Sequence, residues 1–175
     1  MTSAIAPIQE AIAGDQRAFM ELLEPLLPDA YRLAVVLLKT RSEAEDAVQD
    51  AALKAWQSFG RFRRDSPLRP WLFTIVANEC RRRRRSRWWS VLSASAISDQ
   101  RVVELKALDP DAADLRRAVH RLPHEQRLAI VLRYYLDLPF DEVAQVLHVS
   151  TKAAKSRIYR ALEKLRLSPE VLHDE

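Results

Sequence analysis

Residues 140–166, FDEVAQVLHVSTKAAKSRIYRALEKLR, decide the fold of the C-terminal part of the chain. A short apolar-patterned stretch is followed by a turn, after which Ser150 or Thr151 can cap a second helix. Ala144 lies where two helices must approach closely, and its spacing to Ala154 is that of a helix-turn-helix. We therefore predict two helices joined by a tight turn, the second with a buried stripe formed by Ala154, Ile158, Ala161 and Leu165.

The outer face of the second helix is basic. Residues 150–166 contain six bases and one acid. Such a helix can enter the major groove of DNA. Its outermost side chains then contact the edges of nucleobases, and the flanking basic side chains contact phosphates. An ordinary amphipathic surface helix is the alternative. The candidate DNA contacts are Lys152, Lys155, Ser156, Arg157, Tyr159 and Arg160.

The composition predicts an all-α protein. The 175 residues include only two glycines, too few for the positive-φ turns of a large sheet protein, and 48% of the residues are hydrophobic. The longest uninterrupted apolar run, residues 33–38, is much shorter than the ~20 residues that span a bilayer. A single cysteine, Cys80, rules out an intramolecular disulfide. We expect a cytoplasmic protein.

The N-terminal part of the chain is predicted to contain four helices. The first begins near Asp15, and Pro25 and Pro28 break it from the next. Ser42 caps the third helix through a Ser-Glu-Ala-Glu capping box, and Pro70 begins the fourth. This predicts a helical domain over residues 1–90.

Residues 91–110 mix Ser and Ala with weak periodicity and are predicted to form a flexible linker. Helical patterning resumes over residues 111–175 with breaks at Pro123 and Pro139. The fold class is therefore all-α, with two small helical domains joined by a linker. Trp88 and Trp89, just before the linker, either contact a partner or cover the N-terminal core.

The fourth helix, PWLFTIVANECRRRRRSR over residues 70–87, is predicted to combine a core stripe with a nucleic-acid face. Residues 61–90 contain ten bases and two acids. The stripe consists of Leu72, Phe73, Val76 and Cys80. Aromatic side chains beside basic side chains suit melted nucleic acid, because unstacked nucleobases stack on the rings while the basic side chains neutralise phosphates. That face consists of Trp71, Thr74, Asn78, Arg81, Arg82 and Arg85.

Two alternatives apply to this helix. Trp71 taken by itself is more typical of a core residue than of a stacking platform, and the arginine run is also typical of an RNA-binding tail without sequence preference. Five consecutive arginines sweep through more than one helical turn, so residues 81–85 are predicted to project beyond the domain with no buried side.

The whole chain resembles the extracytoplasmic-function sigma factors, which are small bacterial sigma factors with only the second and fourth sigma domains. The resemblance rests on SEAEDAVQDAALKAW (42–56), on F-R-R-D-x-x-x-x-x-W-L-x-x-I-x-x-N (62–78), on LPHEQRLAIVLRYYLDLPFDEVAQVLHVS (122–150) and on KSRIYRALEKLR (155–166). It implies a transcription initiation subunit that binds core RNA polymerase at the clamp and flap. It also implies recognition of the −10 and −35 promoter elements, in melted and duplex DNA, and an anti-sigma factor that can hold the protein at the membrane.

The resemblance also implies roles for individual residues. The segment that docks on the polymerase clamp includes Asp46, Gln49 and Asp50. The −10 element is matched by the loop Arg63, Arg64, Asp65 and Ser66 together with the Asn78 face of the fourth helix. The −35 element is matched by Lys155, Ser156, Arg157, Tyr159 and Arg160 of the last helix.

Three other functions are weighed against this one. A stand-alone helix-turn-helix regulator leaves the face of residues 71–85 without a role, and an RNA-binding adaptor leaves the C-terminal domain unexplained. An enzyme is disfavoured, because the chain has no glycine-rich phosphate loop and its four histidines and one cysteine form no catalytic or metal pattern. His120 and His124 are predicted to be surface residues. We expect no cofactor, metal or small-molecule substrate.

Overall fold

The computed structural model describes residues 5–38, 40–93 and 110–166, with side chains at 6–38, 40–86 and 114–166. Within these ranges every regular element is a helix. The chain divides into two compact units, Met1–Ser98 and Asp99–Glu175. The prediction of an all-α fold with two helical domains is confirmed. None of the described helices combines the length and apolar character needed to cross a membrane.

The described part of the first unit contains five α-helices. They are α1 (Ile5–Ile12), α2 (Gln16–Leu23), α3 (Leu27–Leu37), α4 (Arg41–Ser58) and α5 (Leu68–Ser93), with 3-10 turns at Glu24–Leu26 and Phe59–Arg61. Helix α1 was not predicted. It is separated from α2 by Gly14, whose φ of 99° lies in the left-handed region that glycine adopts without strain.

The predicted break between α2 and α3 is confirmed. Pro25 lies in the 3-10 turn and Pro28 lies in the first turn of α3. Neither position requires a backbone N–H donor, since the first N–H groups of a helix have no partner within it. At the other end of α2, the Asp15 carboxylate accepts hydrogen bonds from the backbone N–H groups of Arg17 at 2.9 Å and Ala18 at 3.0 Å.

The predicted cap of α4 at Ser42 is wrong. Thr40 is the N-cap: its hydroxyl oxygen accepts a hydrogen bond from the Glu43 backbone N–H at 3.1 Å and donates one to the Glu43 carboxylate at 3.2 Å. Ser42 already lies inside the helix, two residues after the cap position, so it does not satisfy these N–H groups. Both segments have the same spacing of a hydroxyl residue and a glutamate, so the pattern alone did not distinguish them.

Helix α5 is longer than predicted at both ends. It begins at Leu68, so Pro70 is its third residue, and it continues to Ser93, past the predicted domain boundary at residue 90. The remainder of the predicted linker up to residue 109, and the side chains of Trp88 and Trp89, lie outside the described residues. The run of arginines helps to extend the helix, because arginine is a strong helix former.

The predicted core stripe of α5 is confirmed: Leu72, Phe73, Val76 and Cys80 are all buried. Burial raises the pKa of the Cys80 thiol to about 12, so the thiol stays protonated and unreactive at neutral pH. Helix α4 packs against both α3 and α5 through a stripe of completely buried alanines, namely Ala44, Ala47, Ala51 and Ala55.

The second unit contains α6 (Pro110–Arg121), α7 (His124–Ile130), α8 (Phe140–Leu147) and α9 (Thr151–Arg166). A π-helical turn at Val131–Tyr135 continues α7. The predicted helix-turn-helix is confirmed in α8 and α9. His148 ends α8 in the left-handed conformation with φ 52° and ψ 45°, and the Ser150 hydroxyl accepts from the Ala153 N–H at 3.2 Å.

The predicted buried stripe of α9 is also confirmed, since its four residues are all buried. His120 is exposed as predicted, but the prediction for His124 is wrong: this residue is buried at the start of α7. The break at Pro123 places His124 on the inner side of the new helix.

The carboxylate of Glu79 in α5 is buried between α4 and α5 and accepts hydrogen bonds from two basic side chains. Lys54 of α4 donates to Oε1, and Arg82 Nε donates to Oε2 at 2.8 Å. Burial by itself would raise the pKa of Glu79, but the hydrogen bonds from Lys54 and Arg82 outweigh it and hold the pKa below its ordinary value. The folded state therefore favours the ionised carboxylate.

We predict that Thr40→Ala lowers the free energy of unfolding by about 1 kcal/mol, because it removes the N-cap of α4. Ser42→Ala is the matched control and leaves the free energy within about 0.5 kcal/mol of wild type. Urea unfolding followed by circular dichroism measures both. Equal losses in the two variants would contradict the assignment of the cap to Thr40.

We predict that Glu79→Gln lowers the free energy of unfolding by about 1–3 kcal/mol at pH 7, since it weakens two charge-assisted hydrogen bonds. A depressed pKa contributes stability above the unfolded value of about 4.3, and this contribution is lost as the pH falls through the folded pKa. The deficit of the variant relative to wild type should therefore shrink between pH 5 and about pH 3. Glu163→Gln, at an exposed position of α9, should change little; a Glu79→Gln deficit independent of pH would contradict the ion-pair origin.

Candidate nucleic-acid interface

The loop before α5 holds the four residues predicted to bind the −10 element. Arg63 Nη2 donates to Asp65 Oδ2 at 2.9 Å, and the Ser66 N–H donates to the Arg63 carbonyl at 2.9 Å. This hydrogen-bonded ion pair raises the pKa of Arg63 and lowers the pKa of Asp65. Arg64 is exposed and Ser66 is half-buried. The loop is thus a turn closed on itself, and both of its arginines are exposed.

The structure places Trp71 within an aromatic cluster. Its ring lies edge-on to Phe62 at 5.0 Å and to Phe59 at 5.6 Å between centroids, and the residue is half-buried. This placement agrees with the core alternative rather than with an open stacking platform. Thr74 likewise has its hydroxyl engaged, donating to the Pro70 carbonyl at 2.8 Å. Contact of either residue with DNA stays a prediction.

Asn78 is exposed on α5 and lies at the edge of an open groove of about 540 Å³ between α4 and α5. Its amide oxygen accepts a hydrogen bond from Arg81 Nη1 at 2.6 Å. The groove is lined mostly by polar side chains: Lys54, Gln57, Ser58, Arg61, Ile75, Asn78 and Glu79. This arrangement offers hydrogen-bond donors and acceptors to a planar group that enters from solvent.

The arginine run does not project freely from the domain, which corrects the prediction that residues 81–85 have no buried side. Arg82 Nη2 donates to Asp50 Oδ2 at 2.8 Å, and Arg83 Nη2 donates to the same oxygen at 2.6 Å. Arg83 Nη1 also donates to Asp46 at 3.3 Å. The side chain of Arg83 is only 22% exposed, whereas Arg85 is exposed. The run packs against α4 because α4 presents acids to it.

Six charges of alternating sign therefore join α4 to α5. We call this set the α4–α5 network. Each residue pairs with the next in the order Lys54, Glu79, Arg82, Asp50, Arg83 and Asp46. The α4 members are four residues apart and so lie on one face of that helix. The network brings together residues that the sequence assigned to two different partners, since Asp46 and Asp50 were predicted to bind polymerase and Arg82 to bind DNA.

Gln49, the third residue predicted to bind polymerase, is exposed on α4. Arg83, Lys54 and Glu79 were not predicted to belong to this site. The spacing of Asp46, Asp50 and Lys54 was the only available signal for these contacts, because a sequence does not reveal which arginine of the run faces α4.

The outer face of α9 contains the six residues predicted to bind duplex DNA. Lys152, Lys155, Ser156, Tyr159 and Arg160 are exposed, with Tyr159 61% exposed. Arg160 Nη2 donates a hydrogen bond to the Ser156 hydroxyl oxygen at 2.9 Å. The face is therefore accessible and contains preorganised polar groups.

Two of these cations are also held by the rest of the second unit. The Lys155 ammonium lies 5.1 Å from the centroid of the Phe140 ring of α8. Arg157 is half-buried and donates to Glu125 of α7 at 3.0 Å. Arg157 thus ties α9 to α7 in addition to its predicted DNA contact.

Comparisons with known proteins agree with this organisation. The family model for Sigma-70 region 2 matches residues 22–90, and the model for Sigma-70 region 4 matches residues 112–165. The ECF RNA polymerase sigma factor SigM of Mycobacterium tuberculosis is 35% identical over 154 residues, which are 88% of this chain and 78% of that protein. The ECF RNA polymerase sigma-E factor of Escherichia coli is 30% identical over 176 residues, 90% of each chain.

Solved structures show the same similarity. The sigma factor RpoE of Bartonella quintana, in complex with the anti-sigma factor NepR, matches with a TM-score of 0.76 and 29% identity over 90% of this chain and 98% of that one. CnrH, in complex with the cytosolic domain of CnrY, matches with a TM-score of 0.72 and 28% identity over 93% of this chain and 94% of that one. Both helical units are matched in chain order, and the chain belongs to the family of ECF RNA polymerase sigma factors.

Proposed function

We propose that this chain binds core RNA polymerase and directs it to specific promoters, where it helps to melt the start-site DNA. Sigma factors are transcription regulators rather than enzymes. The observation that supports the proposal is the presence of two separate basic helices, α5 and α9, one in each compact unit. A protein with one surface for melted DNA and another for duplex DNA can make both contacts that promoter opening requires.

In the first unit, Asn78 and the adjoining groove are the proposed site for an unstacked −10 base. A base removed from the stack needs a pocket with hydrogen-bonding groups, and the groove is lined by such groups on both α4 and α5. The exposed arginines, including Arg64 and Arg85, follow phosphates. Thr74 and Trp71 have a supporting role, since both already bond or pack within the unit.

In the second unit, α9 is the proposed −35 recognition helix. Its exposed face contains Ser156, Tyr159 and Arg160, whose polar groups reach base edges, with Lys152 and Lys155 on phosphates. The buried alanines on the opposite side let α9 pack tightly on the rest of the unit. A rigid recognition helix loses little conformational freedom on binding.

Polymerase docking is proposed for α4, through exposed Gln49 and the two aspartates of the network. We also propose that an anti-sigma factor controls the protein, because the similar sigma factor RpoE was solved in complex with such a partner. This activity belongs in the cytoplasm, with the anti-sigma factor able to hold the protein at the membrane.

Transcription from a library of random promoters tests the proposed function. Core polymerase with this chain should initiate at a set of related sequences that core polymerase alone does not use. Start sites no different from those of core polymerase alone would contradict the sigma function. They would leave a stand-alone DNA-binding regulator or an RNA-binding adaptor as the explanation of the basic helices.

We predict that Asn78→Ala reduces transcription in a way that depends on the −10 sequence, and that Arg160→Ala does so for the −35 sequence. Each lost base contact corresponds to about 1–3 kcal/mol of discrimination. Arg166→Ala is the matched control for Arg160, because it removes an exposed charge from the end of the same helix. If both variants weaken binding equally at scrambled promoters, these residues contact phosphate rather than bases.

A further inference from the structure

The α4–α5 network places residues of the proposed polymerase surface in direct contact with arginines of the proposed DNA surface. One oxygen of Asp50 accepts from both Arg82 and Arg83, at 2.8 and 2.6 Å. Asp46 accepts from Arg83 at 3.3 Å. A polymerase contact to this oxygen, or a phosphate contact to these guanidinium N–H groups, would therefore compete with the pairs that the structure shows.

The charge of these arginines is already balanced within the protein. Arg82 lies between Glu79 and Asp50, and Arg83 lies between Asp50 and Asp46. Each guanidinium uses two of its five N–H donors on carboxylates, and the neighbouring negative charges repel the DNA backbone. Arg82 and Arg83 therefore contribute less to DNA binding than their number suggests.

The outer end of the network is exposed enough to exchange partners. The side chains of Asp50 and Asp46 are 39% and 55% exposed, whereas that of Glu79 is 4% exposed. A cationic side chain of a docking protein can therefore reach both aspartates from solvent. Glu79 stays bonded to Lys54 and keeps the two helices together while the outer pairs open.

We propose that Asp46 and Asp50 mask Arg82 and Arg83 in the unbound protein, and that a basic partner surface docking on α4 takes over the aspartates and releases the arginines to DNA phosphate. The inference rests on the proposed function and adds a coupling to it. Polymerase docking and DNA binding then strengthen each other through shared side chains, and the coupling is reciprocal. It also assigns a role to Arg83, which faces α4.

DNA binding by the full-length chain without polymerase tests the masking. The probe is a fluorescent single-stranded oligonucleotide of random sequence, titrated at several salt concentrations. Asp50→Asn should raise the affinity by about 3- to 10-fold near 0.1 M salt and steepen the slope of log K against log salt by ~1, since about one to two further phosphate contacts form. The exchange of carboxylate for amide keeps the size of the side chain, and circular dichroism verifies the fold.

Glu45→Gln is the matched control for this experiment. Glu45 is exposed on the same helix and forms no ion pair with a described residue, so its loss changes the net charge equally without releasing an arginine. It should raise the affinity by less than about twofold. An Asp50→Asn variant that binds DNA no better than Glu45→Gln, or more weakly than wild type, overturns the masking and indicates that Asp50 holds the arginines in their DNA-binding position.

Binding to core polymerase without DNA tests the reciprocal half. Arg83→Gln should tighten binding by about 3- to 10-fold, because it leaves Asp46 without an arginine and Asp50 with only Arg82, whereas Arg84→Gln should leave it unchanged. Arg84 is exposed and forms no ion pair among the described residues. Unchanged or weaker binding by Arg83→Gln overturns the coupling. Because neither assay requires promoter-specific transcription, such a result is separate from a failure of the sigma function itself.

Discussion

Alanine forms the buried side of α4, and the first unit depends on the close helix packing that this allows. The distance between two packed helices depends on the side chains at their contact. Four alanines, all completely buried, let α4 lie close to both α3 and α5. The polar edges of α4 and α5 then come within ion-pair distance, and the open groove beside Asn78 forms along the same seam. A larger side chain in this stripe would push the helices apart and separate both features.

The ion pairs along this seam differ in burial, and their physical roles differ accordingly. The Glu79 carboxylate is nearly inaccessible, so losing its partners leaves a buried charge and costs stability. The pairs of Asp46 and Asp50 are more exposed, and such pairs contribute about 0–1 kcal/mol each. Pairs this weak do not hold the unit together. The proposed masking requires only that they compete with phosphate for the two arginines.

Local patterns predicted most of the fold. The apolar spacing of α5 and α9 placed their core stripes, and the helix-turn-helix spacing predicted the tight turn between α8 and α9, which begins at His148. The cap of α4 was misassigned because Thr40 and Ser42 begin the same short-range pattern, and only the observed hydrogen bonds distinguish them. The candidate DNA-binding surface was predicted less completely. Arg83 pairs with residues of α4 that are more than thirty positions away in the chain. Short-range sequence patterns do not reveal a contact over that separation.

Masking of the arginines couples the two proposed surfaces of the first unit through Asp50. A double-mutant cycle on DNA affinity, combining Asp50→Asn with Arg82→Gln/Arg83→Gln, tests this coupling. Release of the arginines predicts that Asp50→Asn raises affinity in the wild-type background and has almost no effect once both arginines are replaced. An equal gain in both backgrounds would show that Asp50 acts only through its general negative charge, and would contradict the coupling.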